Sequence, residues 1–255
     1  CKTKGKVSDL EAKAATAITT NGSIGIGHTR WATHGVPNDV NSHPHSSNSG
    51  DLTIIHNGII ENYAPLKEEL IKRGYVFHSD TDTEVLVNLI EEVQKKENLK
   101  IGKAVQLALN QVVGAYAIAV FDKKNPDEIV AARLGSPLAI GVGEGEYFIA
   151  SDASPFIEYT SNAVYLEDGE MANIRLHKPM KIRKIKDGYS EQEFSGGLVK
   201  RRLRFQAICG NSVQWLEVSA LVWKEEKKNK VYTLKSVEGA KDEKMTVEWA
   251  NRLNP

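Results

Sequence analysis

The sequence predicts an α+β fold with helices outside stacked sheets. Residues 62–113 hold three segments whose apolar residues recur at helical spacing. Residues 115–185 hold a succession of short apolar runs separated by turn residues, the pattern of strands. Hydrophobic residues make up 41% and charged residues 26% of the 255, enough apolar side chain for a real core and enough charge for a solvated surface.

Taken in order, "GSIGIG" (22–27) alternates Ile with Gly or Ser. This is a strand pattern with one bare face, where a neighbour can approach the backbone. "GVPNDVNSHPHSSNSGD" (35–51) is a loop by composition. "LTIIH" (52–56) is a short buried strand, and the Asn57-Gly58 pair after it is a tight-turn signal. The first helix spans 62–74: Asn62 is its candidate cap, Pro65 sits in its first turn and Gly74 closes it. The second helix, "SDTDTEVLVNLIEEVQKK", carries the stripe Leu86, Leu89, Ile90 and Val93, with a capping box from Thr81 and Glu84. The third, 101–113, turns Ala104, Val105, Ala108, Leu109 and Val112 inward. Strands follow at 115–122, 128–134, 137–143, 146–152, 163–176 (about an Asp168-Gly169 turn) and 181–185.

The charges exclude some functions. Lys plus Arg and Asp plus Glu number 33 each, so no net field draws the chain to nucleic acid or to an anionic membrane. No apolar run is long enough to span a bilayer, and "CKTKGKVSD" has no apolar core of the signal-peptide kind, so a cytoplasmic protein is expected. Two cysteines, Cys1 and Cys209, give no disulfide framework and no C-x-x-C zinc pair. A Cys in first position carries a thiol and a free amine on one carbon, and such an amine can act as base for its own side chain.

Residues 27–35, "GHTRWATHG", crowd one Arg, one Trp, two Thr and two His between glycines, a composition suited to a site. With "NSHPH", "HNGIIEN" and "SDTDTE" in this order and spacing, the chain from about Lys2 to Lys186 resembles the glutaminase domains of the class II glutamine amidotransferases, of the kind found in glucosamine-6-phosphate synthases. The resemblance implies a four-layer αββα sandwich of the N-terminal-nucleophile hydrolase type. It implies hydrolysis of the side-chain amide of L-glutamine through a cysteinyl thioester, releasing glutamate and ammonia.

By the same resemblance Cys1 is the nucleophile. The side-chain amide of Asn57 and the backbone N–H of Gly58 form the oxyanion hole. Arg30 grips the α-carboxylate of glutamine and Asp82 its α-ammonium, while Trp31, Thr33, His34 and His56 line the pocket. Residues 29–38 resemble a loop that closes over the site, with Gly35-Val36-Pro37 as hinge. No cofactor and no metal is implied. The residues themselves offer a rival: His28, His34, His43, His45 and His56 lie within 29 positions, and His43 with His45 could share one strand face in a metal site. His78 and His177 read as surface residues.

Two departures from the family pattern shape the expectations. A Gly-Ile-rich strand, a helix and an Arg-Gly-rich segment follow the family's N-terminal Cys, whereas Cys1 is followed at once by "KTKGKVSDLE". If that segment is absent, Cys1 need not reach Asn57, and a module that binds glutamine or glutamate without turnover is the alternative. The second departure is the tail. Residues 1–187 are the expected glutaminase domain, and 188–255, with its basic "VKRRLRF", is a tail or small module of unassigned role. Sugar-phosphate isomerase domains, the family partners that would use the ammonia, are expected to be missing from this chain. A homodimer stays open.

Overall fold

A computed structural model describes residues 1–17, 22–30, 35–176, 178–186, 192–193, 198–209, 212–223 and 231–233, the last four stretches as backbone strands only. Four helices are described: α1 (Val7–Ala17), α2 (Tyr63–Lys72), α3 (Asp82–Glu97) and α4 (Ile101–Leu109). Strands β1 (His45–Ser46), β2 (Leu52–Ile60), β3 (Gly114–Asp122), β4 (Asn125–Leu134), β8 (Glu170–Arg175), β9 (Lys181–Lys184) and β10 (Gln192–Glu193) form one sheet, in the order β1-β2-β3-β4-β8-β9-β10. The second sheet runs β11-β12-β13-β7-β5-β6, from β5 (Ala139–Val142), β6 (Tyr147–Ala150), β7 (Asn162–Tyr165), β11 (Leu198–Cys209), β12 (Ser212–Trp223) and β13 (Val231–Thr233). The ladders between these strands are antiparallel.

The strand period sorts the first sheet's side chains into two cores. Ile54, Ile60, Tyr116, Ile118, Val120, Val130 and Ala132 meet Val85, Leu86, Leu89 and Ile90 of α3 and Ala104, Val105 and Ala108 of α4. On the opposite face the residues are small, Ala117, Ala131 and Ala172, and they receive Ile140, Val164 and Leu166 of the second sheet. Alanine on one sheet against branched residues on the other lets the two sheets close without voids. The outer face of the second sheet buries Phe156 from the turns that follow β6. The order helix, sheet, sheet thus follows from the expected strand and helix patterns.

Of the expected α3 stripe Leu86, Leu89 and Ile90 are buried and Val93 is half-buried, and Val85 and Val87 are buried too, because α3 lies on β2 with α2 and α4 at its flanks. Burial of each such side chain contributes about 1.5–3 kcal/mol. Gly74 closes α2 as expected: at φ +91° its N–H reaches the Ile71 carbonyl, and Tyr75 N–H reaches that of Leu70.

Three local expectations are corrected. Asn62 makes no capping bond; its side chain donates to the Gln111 carbonyl and accepts from Val113 N–H, tying α2 to the turn before β3. Asn57-Gly58 is not a turn: β2 runs through it, with Asn57 opposite Ala117 and Gly58 opposite Tyr116. A φ of +120° lets Gly58 bend the strand without ending it. Residues 22–30 join no ladder. Their alternation survives in burial, with Ile24, Ile26, His28 and Arg30 half-buried and Gly25, Gly27 and Thr29 exposed. The bare glycine face meets nothing: a Cβ on Gly25 or Gly27 would find open space.

Strands from the 188–255 segment extend both sheets, β10 on β9 in the first, and β13 on β7 with β12 and β11 beyond it in the second. "VKRRLRF" is in β11, paired along its length with β12. Residues 242–253, whose pattern suits a short helix, lie outside the described residues.

Candidate active site

The site grows from the junction of β2 and α3. Asp82 opens α3 and is 3% exposed. One of its carboxylate oxygens accepts the Ile60 N–H at 2.8 Å, which fastens the helix start to the end of β2. His56, on β2 and also 3% exposed, sets Nδ1 3.0 Å from Thr83 Oγ1 and 4.0 Å from the Asp82 carboxylate. Thr81 caps α3, accepting from Glu84 N–H as expected. The Glu84 carboxylate does not return to Thr81; it gathers His78 N–H, Ser79 N–H and the Ser79 hydroxyl one turn upstream. That winds residues 77–81 tightly around the helix end. The helix dipole favours both carboxylates there.

The loop before β1 is held to the same corner. Asn41 is buried; its amide donates to the Val36 carbonyl and to Asp80, and accepts from Asp80 N–H. Gly35, at φ +74°, packs against Asn41 and Asp80 so closely that a Cβ would lie 2.5 Å from the Asn41 amide nitrogen. The hinge assigned to Gly35-Val36-Pro37 therefore begins at a residue seated against α3's entrance.

These elements enclose a cavity of about 240 Å³ lined by His28, Arg30, His43, His56, Asn57, Gly58, Ile59, Thr81, Asp82 and Thr83. It is smaller than the roughly 300–1,000 Å³ of drug-sized pockets, a scale suited to an amino acid. Its lining includes one guanidinium, of Arg30, one carboxylate, of Asp82, and one side-chain amide, of Asn57. Arg30 Nη2 also donates to the Gly35 carbonyl at 3.2 Å. Burial disfavours the charged form of three neighbouring imidazoles. Burial lowers the pKa of His28, and drives that of His43 down to about 2 and that of His45 to about 4. His43 packs between His28 and His45, with ring centroids 4.2 and 5.0 Å away. Among the described residues no group of three His, Cys, Asp or Glu side chains is placed to hold a metal ion.

Five of the nine residues singled out from the sequence, Arg30, His56, Asn57, Gly58 and Asp82, therefore meet on one cavity. Cys1 does not line it. The thiol is free and exposed, and Lys4 N–H and the Lys13 ammonium hold the chain start to Asp39. The neighbouring Lys2 lies close enough to Glu84 and Asp39 for their charges to act on it. Trp31, Thr33 and His34 lie outside the described residues, as does His177; His78 is exposed.

Two contributors were missed. His28 Nε2 is 2.6 Å from Asn57 Oδ1, and the Asn57 amide donates to Ser151 Oγ at 3.0 Å. Period-two spacing could have found His28, since it shares the face of Arg30. Ser151 stands directly after β6, where nothing in the sequence distinguishes it from an ordinary strand end.

The model of the glutamine amidotransferase domain family matches residues 13–186. The chain belongs to this family. Among curated relatives, the glutamine–fructose-6-phosphate aminotransferase [isomerizing] of Bacteroides thetaiotaomicron is 60% identical over 181 residues, covering 71% of this chain and 29% of the relative. That of Chlorobaculum tepidum is 56% identical over 174 residues, covering 67% and 28%. The chain thus spans under a third of the length of these relatives. The glutamine phosphoribosylpyrophosphate amidotransferase of B. subtilis superposes with a TM-score of 0.52 at 28% identity, over 63% of this chain and 34% of that one. A solved structure described as the allosteric regulatory enzyme of purine biosynthesis superposes at 0.53 and 29%, over 63% and 35%. The fold of this glutamine amidotransferase domain is accordingly the αββα sandwich of the N-terminal-nucleophile hydrolase type.

Proposed function

We propose that this glutamine amidotransferase domain hydrolyses the side-chain amide of L-glutamine to glutamate and ammonia, as the ammonia-supplying part of glucosamine 6-phosphate synthesis. The observation that carries the reading is the meeting of Arg30, Asp82, Asn57 and Gly58 on one cavity. Glutamine has three recognisable ends. The α-carboxylate suits the guanidinium of Arg30, and the α-ammonium suits the buried carboxylate of Asp82. The side-chain carbonyl then lies toward Asn57 and Gly58, whose N–H groups face the oxygen as it gains charge. Trp31, Thr33 and His34 complete the pocket wall in this reading, and no cofactor or metal takes part.

The chemistry needs a thiolate, and Cys1 is the nucleophile assigned. Its sulfur attacks the amide carbon, ammonia leaves with a proton, and water cleaves the thioester to free glutamate. Isomerase domains of the kind joined to such glutaminases would receive the ammonia. The glutaminase unit is placed in residues 1–187, with 188–255 as a module whose role is unassigned.

The exposure of Cys1 outside the cavity favours a second reading: a module that binds glutamine or glutamate without turnover. An ammonia-release assay with L-glutamine separates the two. The first reading expects turnover that Cys1→Ala abolishes while glutamate binding persists. Turnover that survives Cys1→Ala contradicts the assigned nucleophile, and binding without any turnover selects the second reading.

A further inference from the structure

A side-chain amide has two ends of nearly equal shape, and only one of them can stabilise an oxyanion. Asn57 serves the reading above only if its NH2 end, not its carbonyl, is turned to the cavity. The orientation must therefore be enforced by a neighbour. We infer that His28 is a positioning residue that holds the Asn57 amide in its productive orientation, with Ser151 as the second support; the inference rests on the glutaminase reading.

Among the described residues, His28 Nδ1, on the far side of the ring, is buried with no hydrogen-bond partner. A buried N–H without an acceptor is rarer in folded proteins than a buried acceptor without a donor. Nδ1 is therefore the bare nitrogen, and the ring proton sits on Nε2. Burial lowers the pKa of the ring, against the hydrogen bond to Asn57, which favours the charged form, and with the charge of Arg30 adding to burial. Nε2–H then needs an acceptor, and at 2.6 Å it finds Asn57. An amide NH2 cannot accept, so the carbonyl Oδ1 must face His28. This turns Nδ2 the other way, where one of its two hydrogens is given to Ser151 Oγ at 3.0 Å. The second hydrogen is left for a ligand. The reverse amide would strand the Nδ1 proton or set two donors nose to nose.

His28 can do this because its segment alternates. The same period that half-buries Ile24 and Ile26 sends His28 and Arg30 to one side. Arg30 addresses the ligand and His28 addresses Asn57, so one extended segment supplies both the anchor and the orienting group.

The test has two arms on the full chain. Long-range 1H–15N spectra of labelled protein without ligand report which ring nitrogen of His28 carries the proton, the signal being assigned by its loss in His28→Gln. A proton on Nε2 alone supports the inference; a proton on Nδ1, or a charged ring, overturns it. The second arm is ammonia release. His28→Ala should lower kcat on the order of 10- to 100-fold, short of the loss from deleting the donor itself. KM for glutamine should stay within about twofold, because the effect falls on the developing charge. His28→Gln, whose terminal N–H can stand where Nε2–H does, should recover most of the loss. An unchanged kcat in His28→Ala, a loss carried by KM, or a Gln variant no better than Ala would overturn the proposal. If the wild-type chain releases no ammonia, the glutaminase reading falls and the ring proton alone decides the role of His28.

Discussion

The two halves of the cavity are built differently. The β2–α3 corner is largely buried and tied by hydrogen bonds: Asp82 is fixed by Ile60 N–H, Thr81 by Glu84 N–H, and Gly58 by its place in the ladder with β3. The 22–30 segment opposite joins no ladder, and its glycine face meets only open space. Yet that segment supplies Arg30 and His28. Donors that stabilise charge must not reorganise during reaction, so they belong on the rigid side. A long guanidinium can reach its partner from a looser support, because one ion pair tolerates more positional freedom than an oxyanion hole does.

Substitutions on the rigid side should therefore cost fold and turnover; on the looser side loss of the Arg30 anchor should cost affinity, whereas His28, which acts through Asn57, should cost turnover. The largest effect is expected from Gly58→Ala. Its new Cβ would stand 2.1 Å from the Ala115 carbonyl oxygen, at a φ of +120°. Denaturant melts should show a loss of about 3 kcal/mol or more, with glutamine hydrolysis abolished. An unchanged midpoint would mean that β2 does not bend as described. Next is Asn57→Ala, which keeps the backbone path. Steady-state kinetics should show kcat lower by about 100- to 1,000-fold with the fold intact. A loss confined to KM would remove Asn57 from the oxyanion hole.

On the looser side, Arg30→Ala should leave stability within about 0.5 kcal/mol of wild type. The glutamine requirement should rise by the equivalent of about 1.5–3 kcal/mol. If stability falls instead, the contrast between the halves is misdrawn. A further effect is a pH slope. His45 is 3% exposed, and its folded pKa of about 4 lies below the 6.5 of a free ring. Burial is the main cause, with Lys2 and Arg30 adding to it against Glu84 and the Asn41 backbone. Between these values the unfolded chain binds a proton that the folded chain refuses. Stability should thus fall as pH drops from about 6.5 toward 4, by about 1.4 kcal/mol per pH unit for this one group. Melts of His45→Gln across that range should show a shallower slope; an identical slope would exclude His45 as a source.

The two halves also differed in how readable they were. The helix stripe Leu86, Leu89 and Ile90 and the strands of the first sheet follow their periods directly, because burial on one face imposes the period. Asp82 is an instance of a weaker signal: an acid in a first helical turn has a structural reason of its own, and only its approach to Ile60 and the cavity adds another. Asn57-Gly58 misled because the dipeptide's turn preference is local, whereas pairing with Ala117 and Tyr116 is long-range and prevailed. Asn62 misled in the same way, its amide being claimed by Gln111 and Val113 from the next turn rather than by its own helix. Ser151 was illegible because it reaches Asn57 across 94 positions, a contact that only the stacking of two sheets creates.

The central claim is that one cavity grips both charged ends of a free amino acid and presents N–H groups to its side-chain amide. Calorimetric titration of the Cys1→Ala chain with L-glutamine tests it most directly, since binding is then read without turnover. The account predicts saturable binding at one site, weakened at least about tenfold when Arg30→Ala is added. Absence of binding, or binding equally tight without the guanidinium, would contradict it.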